Sequence, residues 1–240
     1  MAMNADEARR MVDASRLRPD RVAQIVPAPF TLHLDDRIRQ AVDNDLGVLR
    51  AVRMQMYGGG AGTARPKRSW RLNRTFSGNN IMAVGIWYET LMRWVGPAAS
   101  VYATLRTFRD RGEDPDTGAE VPIDIPDHVE ATGAMPNGAT FSMTASAVVP
   151  GRSGSRIELA GDRGAIVFEA GAATFHPVDG EARAIEPAPD AGWRVEEEFV
   201  NAIRGEETIR RTDLDTGLTY MRFTDALHDS HRLGQAVACA

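Results

Sequence analysis

One stretch of this chain constrains its fold more than any other, a basic loop that runs into an apolar helix between positions 68 and 96. Positions 77–80 read Ser-Gly-Asn-Asn, residue types that turn a chain and cap a helix. Apolar residues then recur at the spacing of one helix face until Gly96 and Pro97 end the pattern. The stretch predicts a helix of about four turns with one face in the core. That face carries Ile81, Val84, Tyr88, Leu91 and Val95.

Charged residues lie on this helix and in the loop before it. Glu89 and Arg93 are one turn apart with the acid first, which predicts a favourable ion pair on the helix surface. The loop places four cations close to two asparagines, and paired Arg donors beside free helix amides suit an anionic or hydroxyl-rich ligand. A solvated basic loop is the alternative and stays open. The residues concerned are Lys67, Arg68, Arg71, Arg74, Asn79 and Asn80.

Aromatic residues on the helix offer a second kind of contact. Trp87 follows Ala83 by one turn and Asn80 by two, and Tyr88 is its neighbour. An aromatic ring in that position can stack on a sugar or another ring, whereas packing in the core is the ordinary alternative. The sequence therefore predicts a substrate-binding set, and it assigns no catalytic residue. The predicted set is Arg68, Arg71, Asn79, Asn80, Trp87 and Tyr88.

Composition excludes several classes of function. With 43% apolar and 25% charged residues, a chain of 240 residues can bury a sizeable core. The net charge of -5 disfavours broad binding to nucleic acids or anionic membranes, since both require a concentrated positive surface. Cys239 is the single cysteine, so no intramolecular disulfide can form, and no apolar run reaches the roughly 20 residues that span a bilayer. We therefore expect a cytoplasmic protein.

Other candidate chemistry is weak. His228 and His231 lie three apart on a predicted helix without a carboxylate or cysteine set beside them, so no metal site is predicted. Cys239 lies next to the C-terminus, where a thiol is a poor nucleophile candidate. Glu89 and Glu130 could act as acids or bases only if they were buried, and the sequence leaves their surroundings open.

Helices and strands alternate in the N-terminal part of the chain. Positions 3–15 predict a helix capped by Asn4, and positions 35–47 predict a second helix. Between them, positions 21–30 hold a nearly continuous apolar run that predicts a buried strand. A further strand is predicted at 48–57, before the basic loop.

The remainder is predicted to be mainly β-structure closed by two helices. Strict alternation of apolar and polar residues predicts a strand at 101–108. Three more strands are predicted within 128–168, where Asn137-Gly138 is a strong hairpin signal. Amphipathic helices are predicted at 193–204 and from 214 onward.

Taken together, the basic loop, the helix and this order of elements resemble the Gfo/Idh/MocA family of oxidoreductases, which includes glucose-fructose oxidoreductase and inositol dehydrogenase. The frame of the family's active-site loop and helix is kept, but its Asp and His positions fall on Ala83 and Trp87. The resemblance implies an α+β fold with an open, mostly antiparallel sheet and helices on one face, like the C-terminal domain of glyceraldehyde-3-phosphate dehydrogenase. The frame residues are Trp70, Arg71, Gly78, Gly85, Trp94 and Gly96.

The same resemblance implies a division into domains. Positions 1–30 resemble the last helix and strand of the family's dinucleotide-binding Rossmann domain, and positions 31–240 resemble its substrate-binding and oligomerisation domain. The family's phosphate loop and catalytic Lys would precede this chain. The glycine cluster at 58–62 lacks the helix that follows such a loop, so we interpret it as a surface loop. We therefore expect no cofactor on this chain alone, and NAD or NADP only if a Rossmann domain is supplied.

These features predict the substrate domain of an NAD(P)-dependent oxidoreductase that acts on a sugar-like or polyol-like molecule. Because the catalytic pair is missing, we expect the chain by itself to be inactive as a dehydrogenase. Two alternatives stay open. One is a stand-alone ligand-binding or scaffold protein, and the other is a lyase or isomerase that reuses the same cleft.

A sheet covered by helices on one side predicts an oligomer. The strands between 101 and 168 would leave an apolar face exposed, and such faces usually mark interfaces. In the middle strand, Phe141, Met143 and Ala145 would form part of this face. We expect a homodimer or tetramer joined sheet to sheet, as the resemblance also implies, with no nucleic-acid or membrane partner.

Overall fold

A computed structural model describes residues 2–58, 65–189 and 192–239. Of the glycine cluster interpreted as a surface loop, Gly58 ends the first strand and the rest lies outside these residues. No helix within them is long and apolar enough to cross a membrane.

The helices are α1 (Ala5–Arg16), α2 (Asp35–Asn44), the 3-10 helix Trp70–Leu72, α3 (Arg74–Ser77), α4 (Met82–Val95), α5 (Val195–Arg204) and α6 (Leu214–Leu233). The strands are β1 (Leu49–Gly58), β2 (Ser100–Arg106), β3 (Arg111–Glu113), β4 (Glu120–Pro122), β5 (His128–Ala134), β6 (Thr140–Ser146), β7 (Ser153–Gly161), β8 (Gly164–Glu169), β9 (Ala172–Pro177), β10 (Arg183–Ile185) and β11 (Val237–Ala238).

Nine of these strands form one open sheet in the order β10-β9-β8-β7-β1-β6-β5-β2-β11, and β3 pairs with β4 in a separate ribbon. β1 and β6 run parallel with Val52 opposite Phe141, whereas the other neighbours in the sheet run antiparallel. Gly138, with a φ of 85°, lies in the predicted hairpin between β5 and β6. The predicted α+β class with an open, mostly antiparallel sheet is therefore confirmed.

Helices cover one face of the sheet and close the core against it. Phe141, Met143 and Ala145 of β6 are buried in one cluster with apolar residues of α2, α4 and α6. The prediction that these three residues form an exposed apolar face is wrong. Strand residues alternate between two faces, and the helices cover the face that carries them. Exposed residues on the strands of the open face include Arg53, Tyr102, Glu130 and Thr140.

α4 is the core helix that the apolar spacing predicts. Val84, Tyr88 and Leu91 are fully buried, and Trp94 joins them. The Tyr88 ring stacks on Phe223 of α6 with 3.5 Å between ring centroids, which ties the two helices together. Burying large apolar side chains of this kind stabilises a fold by about 1.5–3 kcal/mol each.

The chain enters α4 by a sharp corner instead of a capped loop. Part of the basic loop forms α3, which ends at Gly78 with a φ of 61°. Ile81 is the N-cap of α4 and makes no side-chain capping bond. The side-chain amide of Asn79 donates to the Asp225 carboxylate of α6 at 2.7 Å, and the side-chain amide of Asn80 donates to the Ala2 carbonyl at 2.7 Å. The predicted cap is therefore wrong, because both asparagine amides bind distant parts of the chain.

The N-terminal helix α1 forms as predicted and packs on α6. The Asn4 side chain accepts a hydrogen bond from the Glu7 backbone amide at 2.9 Å, which is the predicted cap. A small apolar cluster joins the two helices, so the N-terminal residues are held against the C-terminal part of the chain. Its buried members are Ala8, Val12, Leu218 and Met221.

The strand predicted at 21–30 does not form. The Ile25 amide donates to the Thr212 carbonyl at 3.0 Å, but no strand in the described part of the chain pairs with this segment. A strand exists through hydrogen bonds to its neighbours, and an apolar run by itself supplies no neighbour. The prediction of a buried strand is therefore wrong.

The ion pair predicted on the surface of α4 is buried. The side chains of Glu89 and Arg93 are only 5% and 8% exposed, and they lie 3.6 Å apart. Arg93 also lies 3.2 Å from the Asp35 carboxylate and donates to the Ala28 carbonyl at 2.9 Å. The prediction is wrong because the segment 28–35 packs over this side of the helix and excludes water.

Candidate functional site

Two cavities flank α4 and share part of its wall. The first, of about 720 Å³, lies between α4, α1 and residues 26–29, and we name it the N-terminal cavity. The second, of about 560 Å³, lies between α4 and the ends of β1 and β6, and we name it the sheet cavity. Arg71, Ile81 and Ile86 line both.

The sheet cavity is bordered by the two α4 positions that the sequence comparison singled out. Ala83 and Trp87 both line it. The Trp87 ring lies between Phe30, at 5.2 Å between ring centroids, and Phe168, at 5.9 Å. Trp87 is therefore partly a packing residue and partly a rigid wall of the cavity. Further apolar residues of this wall are Met56, Ile125 and Ala145.

Arg71 is the cation of the basic loop that reaches both cavities. It lies in the 3-10 helix, and its guanidinium carbon is 4.5 Å from the centroid of the Trp70 ring. Within the described part of the chain its guanidinium makes no ion pair or hydrogen bond. Its donors are therefore available to a ligand.

Sequence reasoning missed two charged residues of the sheet cavity, Arg109 and Asp127. The Asp127 carboxylate lies 3.2 Å from Arg109 Nε and accepts hydrogen bonds from the backbone amides of Phe108 and Arg109 at 2.8 and 3.0 Å. These bonds compensate its burial. The two residues flank the segment 110–126, which is rich in Asp, Glu, Pro and Gly. No local pattern in the sequence places the ends of such a segment beside a cavity.

Glu89 forms a polar end of the N-terminal cavity. Its carboxylate accepts hydrogen bonds from the Ala28 amide at 3.0 Å and from the Thr212 hydroxyl at 2.5 Å. Thr212 has a φ of 45°, a conformation that costs a β-branched residue on the order of 1–3 kcal/mol. Burial raises the pKa of the neighbouring Tyr220, and the Glu89 charge adds to this effect. The Glu89 carboxylate is thus engaged by the protein itself.

Three of the predicted site residues, Arg68, Asn79 and Tyr88, line neither cavity. The Arg68 backbone amide donates to the Glu113 carbonyl at 2.8 Å, which holds this residue beside β3. Tyr88 lies in the core, where its hydroxyl accepts a hydrogen bond from the Ala98 amide at 2.9 Å. Burial raises the pKa of Tyr88, so the phenol stays neutral. Neither side chain lines the wall of a cavity.

The two asparagines hold the corner between α3 and α4. Arg74 donates to the Asn79 side-chain oxygen at 2.6 Å and to Nδ1 of His228 at 3.3 Å, and His228 Nε2 donates to the Asn79 carbonyl at 3.0 Å. Burial lowers the pKa of His228, which agrees with a neutral ring that donates at one nitrogen and accepts at the other. Asn80 lines the N-terminal cavity. Of the predicted set, Arg71 and Trp87 are therefore brought together in the sheet cavity.

The cavities are equipped to bind a ligand more than to move a proton. On α4 the residues that line the sheet cavity present a methyl group at Ala83 and an indole at Trp87, and neither exchanges protons near neutral pH. Asp127 and Glu89 accept hydrogen bonds from the protein itself. No three His, Cys, Asp or Glu side chains are grouped as metal ligands in residues 2–58, 65–189 and 192–239.

Comparison with known proteins identifies relatives of this fold. The family model of the GFO/IDH/MocA C-terminal domain matches residues 36–167. Levoglucosan dehydrogenase in complex with NADH and L-sorbose superposes with a TM-score of 0.83 at 19% identity, over 100% of this chain and 71% of that one. An oxidoreductase domain protein from Kribbella flavida gives 0.82 at 21% identity over 100% and 72%, and the transcriptional regulator Gal80p from Kluyveromyces lactis gives 0.78 at 16% over 99% and 65%. No curated protein matches the chain in sequence.

Proposed function

The chain belongs to the GFO/IDH/MocA family through its C-terminal domain, and on this premise we propose that it is the substrate-binding and oligomerisation part of an NAD(P)-dependent oxidoreductase. Levoglucosan dehydrogenase, which was solved with NADH and L-sorbose, supports a sugar-like or polyol-like substrate. In this proposal residues 31–240 are the substrate domain and residues 1–30 belong to a dinucleotide-binding domain. The chain by itself is inactive as a dehydrogenase.

One observation carries this proposal: α4 keeps the frame of the family's active-site helix without its acid and imidazole. Ala83 and Trp87 occupy those positions, and both line the sheet cavity. General acid–base catalysis needs a titratable group within hydrogen-bond reach of the substrate, and a methyl group and an indole do not provide one. The cavity therefore keeps a binding surface and lacks the family's pair for proton transfer.

Calorimetric titration of the 240-residue chain with NAD and with NADP should give no measurable binding. The physical reason is that the sequence contains no glycine-rich strand-to-helix turn to hold a pyrophosphate. The positive control is the same chain joined behind a Rossmann domain of the family, which should bind the cofactor. A dissociation constant in the micromolar range for the chain alone would refute this proposal.

A stand-alone binding protein is the second candidate. It is favoured by the likeness to the transcriptional regulator Gal80p, and the residues at positions 83 and 87 are compatible with both candidates. A fusion of the chain with a Rossmann domain is the experiment that distinguishes the two candidates. Reduction of NAD by that fusion with a polyol supports the oxidoreductase, whereas ligand binding without any turnover supports the binding protein.

We further propose that the open face of the sheet joins two or four copies of the chain. This face bears an exposed aromatic residue, Tyr102, at 46% exposure, and a charged pair, Arg53 and Glu158, at 2.6 Å. Aromatic residues are enriched where interfaces are buried, and charged groups on a surface can fix the register of two partners. A dimer of this type would bury on the order of 2,000 Å² in total.

Light scattering at micromolar concentration should therefore give the mass of a dimer or tetramer. The variant Tyr102→Glu should shift the mass to that of a monomer, because it replaces an aromatic contact of the proposed interface with a charge. Val200→Glu on α5, where the residue is 42% exposed, is the matched control and should leave the mass unchanged. A monomer mass for the unmodified chain would contradict the assembly.

A further inference from the structure

We propose that the sheet cavity binds a ring-bearing carboxylate, with the ring against the wall formed by Phe30 and Trp87 and the carboxylate on Arg71. The inference rests on the proposed function, because it names the ligand class of the same cavity and adds a negative charge to it. A sugar acid and a cyclic acid without hydroxyl groups share this chemistry. The probes described below separate these two sources.

The charges around the two cavities differ in sign. The sheet cavity is lined by Arg71, Arg109 and Asp127, and the last two lie 3.2 Å apart, so their charges largely cancel. Arg71 is left as the net charge of this cavity. The N-terminal cavity is lined by the carboxylates of Glu7 and Glu89 besides Arg71. Glu7 lies 3.7 Å from Arg10, but Arg93 is shared between Glu89 and Asp35, so one negative charge remains beside this cavity. An anion is therefore attracted to the sheet-cavity side of Arg71 and repelled from the other side.

Arg71 is held in a position suited to a carboxylate. Its guanidinium carbon lies over the Trp70 ring at 4.5 Å from the ring centroid. Stacking of this kind uses the face of the guanidinium and leaves its N–H edges free for paired hydrogen bonds. Two parallel bonds from Arg to a carboxylate are stronger and more directional than bonds to a neutral oxygen. The arrangement therefore favours an acid over a neutral ligand.

The part of the cavity wall that carries Phe30 and Trp87 suits the body of a ring. Phe30 is 49% exposed and stacks on Trp87 with an interplanar angle of 22°, and Ile86 lies beside them. Hydroxyl groups placed against this wall would exchange bonds to water for contacts with carbon. The hydroxyl of Ser146, at the end of β6, already bonds to Nδ1 of His128 at 3.0 Å. The surfaces therefore complement a ring that turns its C–H face to Phe30 and Trp87 and its charged group to Arg71, and the hydroxyls of Ser69 and Ser155 line the same cavity for any hydroxyl groups the ring carries.

Titration calorimetry of the full chain tests the inference with two matched pairs of probes. Cyclohexanecarboxylate is compared with neutral cyclohexanemethanol, and D-glucuronate with neutral D-glucose. We expect the acid of at least one pair to bind about tenfold more tightly than its neutral partner, since a charge-assisted pair is formed only by the acid. The preference should weaken as salt is raised. The acid that binds more tightly shows whether the ligand is a sugar acid or a cyclic acid without hydroxyl groups.

Four variants assign the effect to residues. Arg71→Met should remove the preference for acids, and its unfolding midpoint should match that of the unmodified chain because the residue is exposed. Arg68→Met, three positions earlier and outside both cavities, should leave the preference intact. Ala83→Phe fills the sheet cavity and should abolish binding. Gly85→Phe enters the N-terminal cavity, where a Cβ meets nothing within 4 Å, and should leave acid binding unchanged.

Four results would overturn the inference. The first is equal affinity for acids and their neutral partners, and the second is a preference that survives Arg71→Met. The third is the absence of binding by all four probes. The fourth is loss of acid binding in Gly85→Phe but not in Ala83→Phe, which would assign the ligand to the N-terminal cavity. None of these decides the proposed function, which the nucleotide titration tests separately.

Discussion

Replacing Arg93 with Met should lower the free energy of unfolding by about 3–5 kcal/mol, a large share of the stability of an ordinary domain. The Arg93 side chain is 8% exposed and lies 3.2 Å from the Asp35 carboxylate and 3.6 Å from that of Glu89. Met has a similar length and no charge, so both carboxylates would stay buried without a counter-ion. An uncompensated buried charge is what makes the loss of one partner costly.

The same substitution should weaken ligand binding in the sheet cavity. Arg93 donates hydrogen bonds to the Ala28 carbonyl at 2.9 Å and to the Thr31 hydroxyl at 3.3 Å. Phe30, a wall residue of the sheet cavity, lies between these two contacts in the chain. If Arg93 no longer holds residues 28–31, Phe30 should therefore move and change the wall of the sheet cavity.

Urea denaturation followed by circular dichroism measures the change in stability. The matched control is Arg232→Met on α6, whose pair with Asp229 has a distance of 3.0 Å and side chains that are 66% and 51% exposed. An exposed pair of this kind contributes about 0–1 kcal/mol, so the control should change little. Equal losses of unfolding free energy in the two variants would show that the buried contacts of Arg93 stabilise the fold no more than an exposed ion pair does.

Replacing Gly78 with Ala should destabilise the fold and release the N-terminal segment. Gly78 has a φ of 61°, which costs a residue with a side chain on the order of 1–3 kcal/mol. An added Cβ would also lie 2.0 Å from the Met3 carbonyl oxygen, so the backbone would have to shift. The Met3 carbonyl accepts a hydrogen bond from the Asn79 backbone amide at 2.8 Å, and the shift would break this bond. The bond from the Asn80 side chain to the Ala2 carbonyl would then be left to attach α1 to the corner before α4.

Hydrogen exchange of the α1 amides measures this release directly. Exchange should accelerate in α1 of the Gly78→Ala variant more than in the strands of the sheet. Gly85→Ala is the matched control, because a Cβ at this helical position meets nothing within 4 Å. It should be neutral or stabilise the protein by about 0.5–1 kcal/mol, since glycine is a poor helix former. Unchanged exchange in α1 of Gly78→Ala would contradict the proposed attachment.

The local elements of this protein could be predicted from its sequence. Apolar spacing predicted that Val84, Tyr88 and Leu91 lie on the buried face of α4, and all three are buried. Asn4 predicted the start of α1, and Gly138 predicted the hairpin between β5 and β6. Each of these features depends on residues a few positions apart, where backbone geometry decides which groups meet.

The candidate site could be predicted only in part. Arg71 and Trp87 were found because they belong to the stretch whose pattern is the strongest in the chain. Phe30, Arg109 and Asp127 were missed, since they come from segments before and after that stretch and carry no pattern of their own. Their place beside one cavity follows from the packing of the sheet ends against α4.

The class of fold and the core helix could be predicted from the sequence, as could the expectation that Ala83 and Trp87 stand where the similar family has its proton-transfer pair. Packing of the folded chain buries Glu89 and Arg93, although their spacing already made them neighbours. It also leaves the apolar run at 21–30 without a strand partner in the described residues. The physical reason is the same in both cases, because burial and strand pairing depend on what distant parts of the chain bring against a residue.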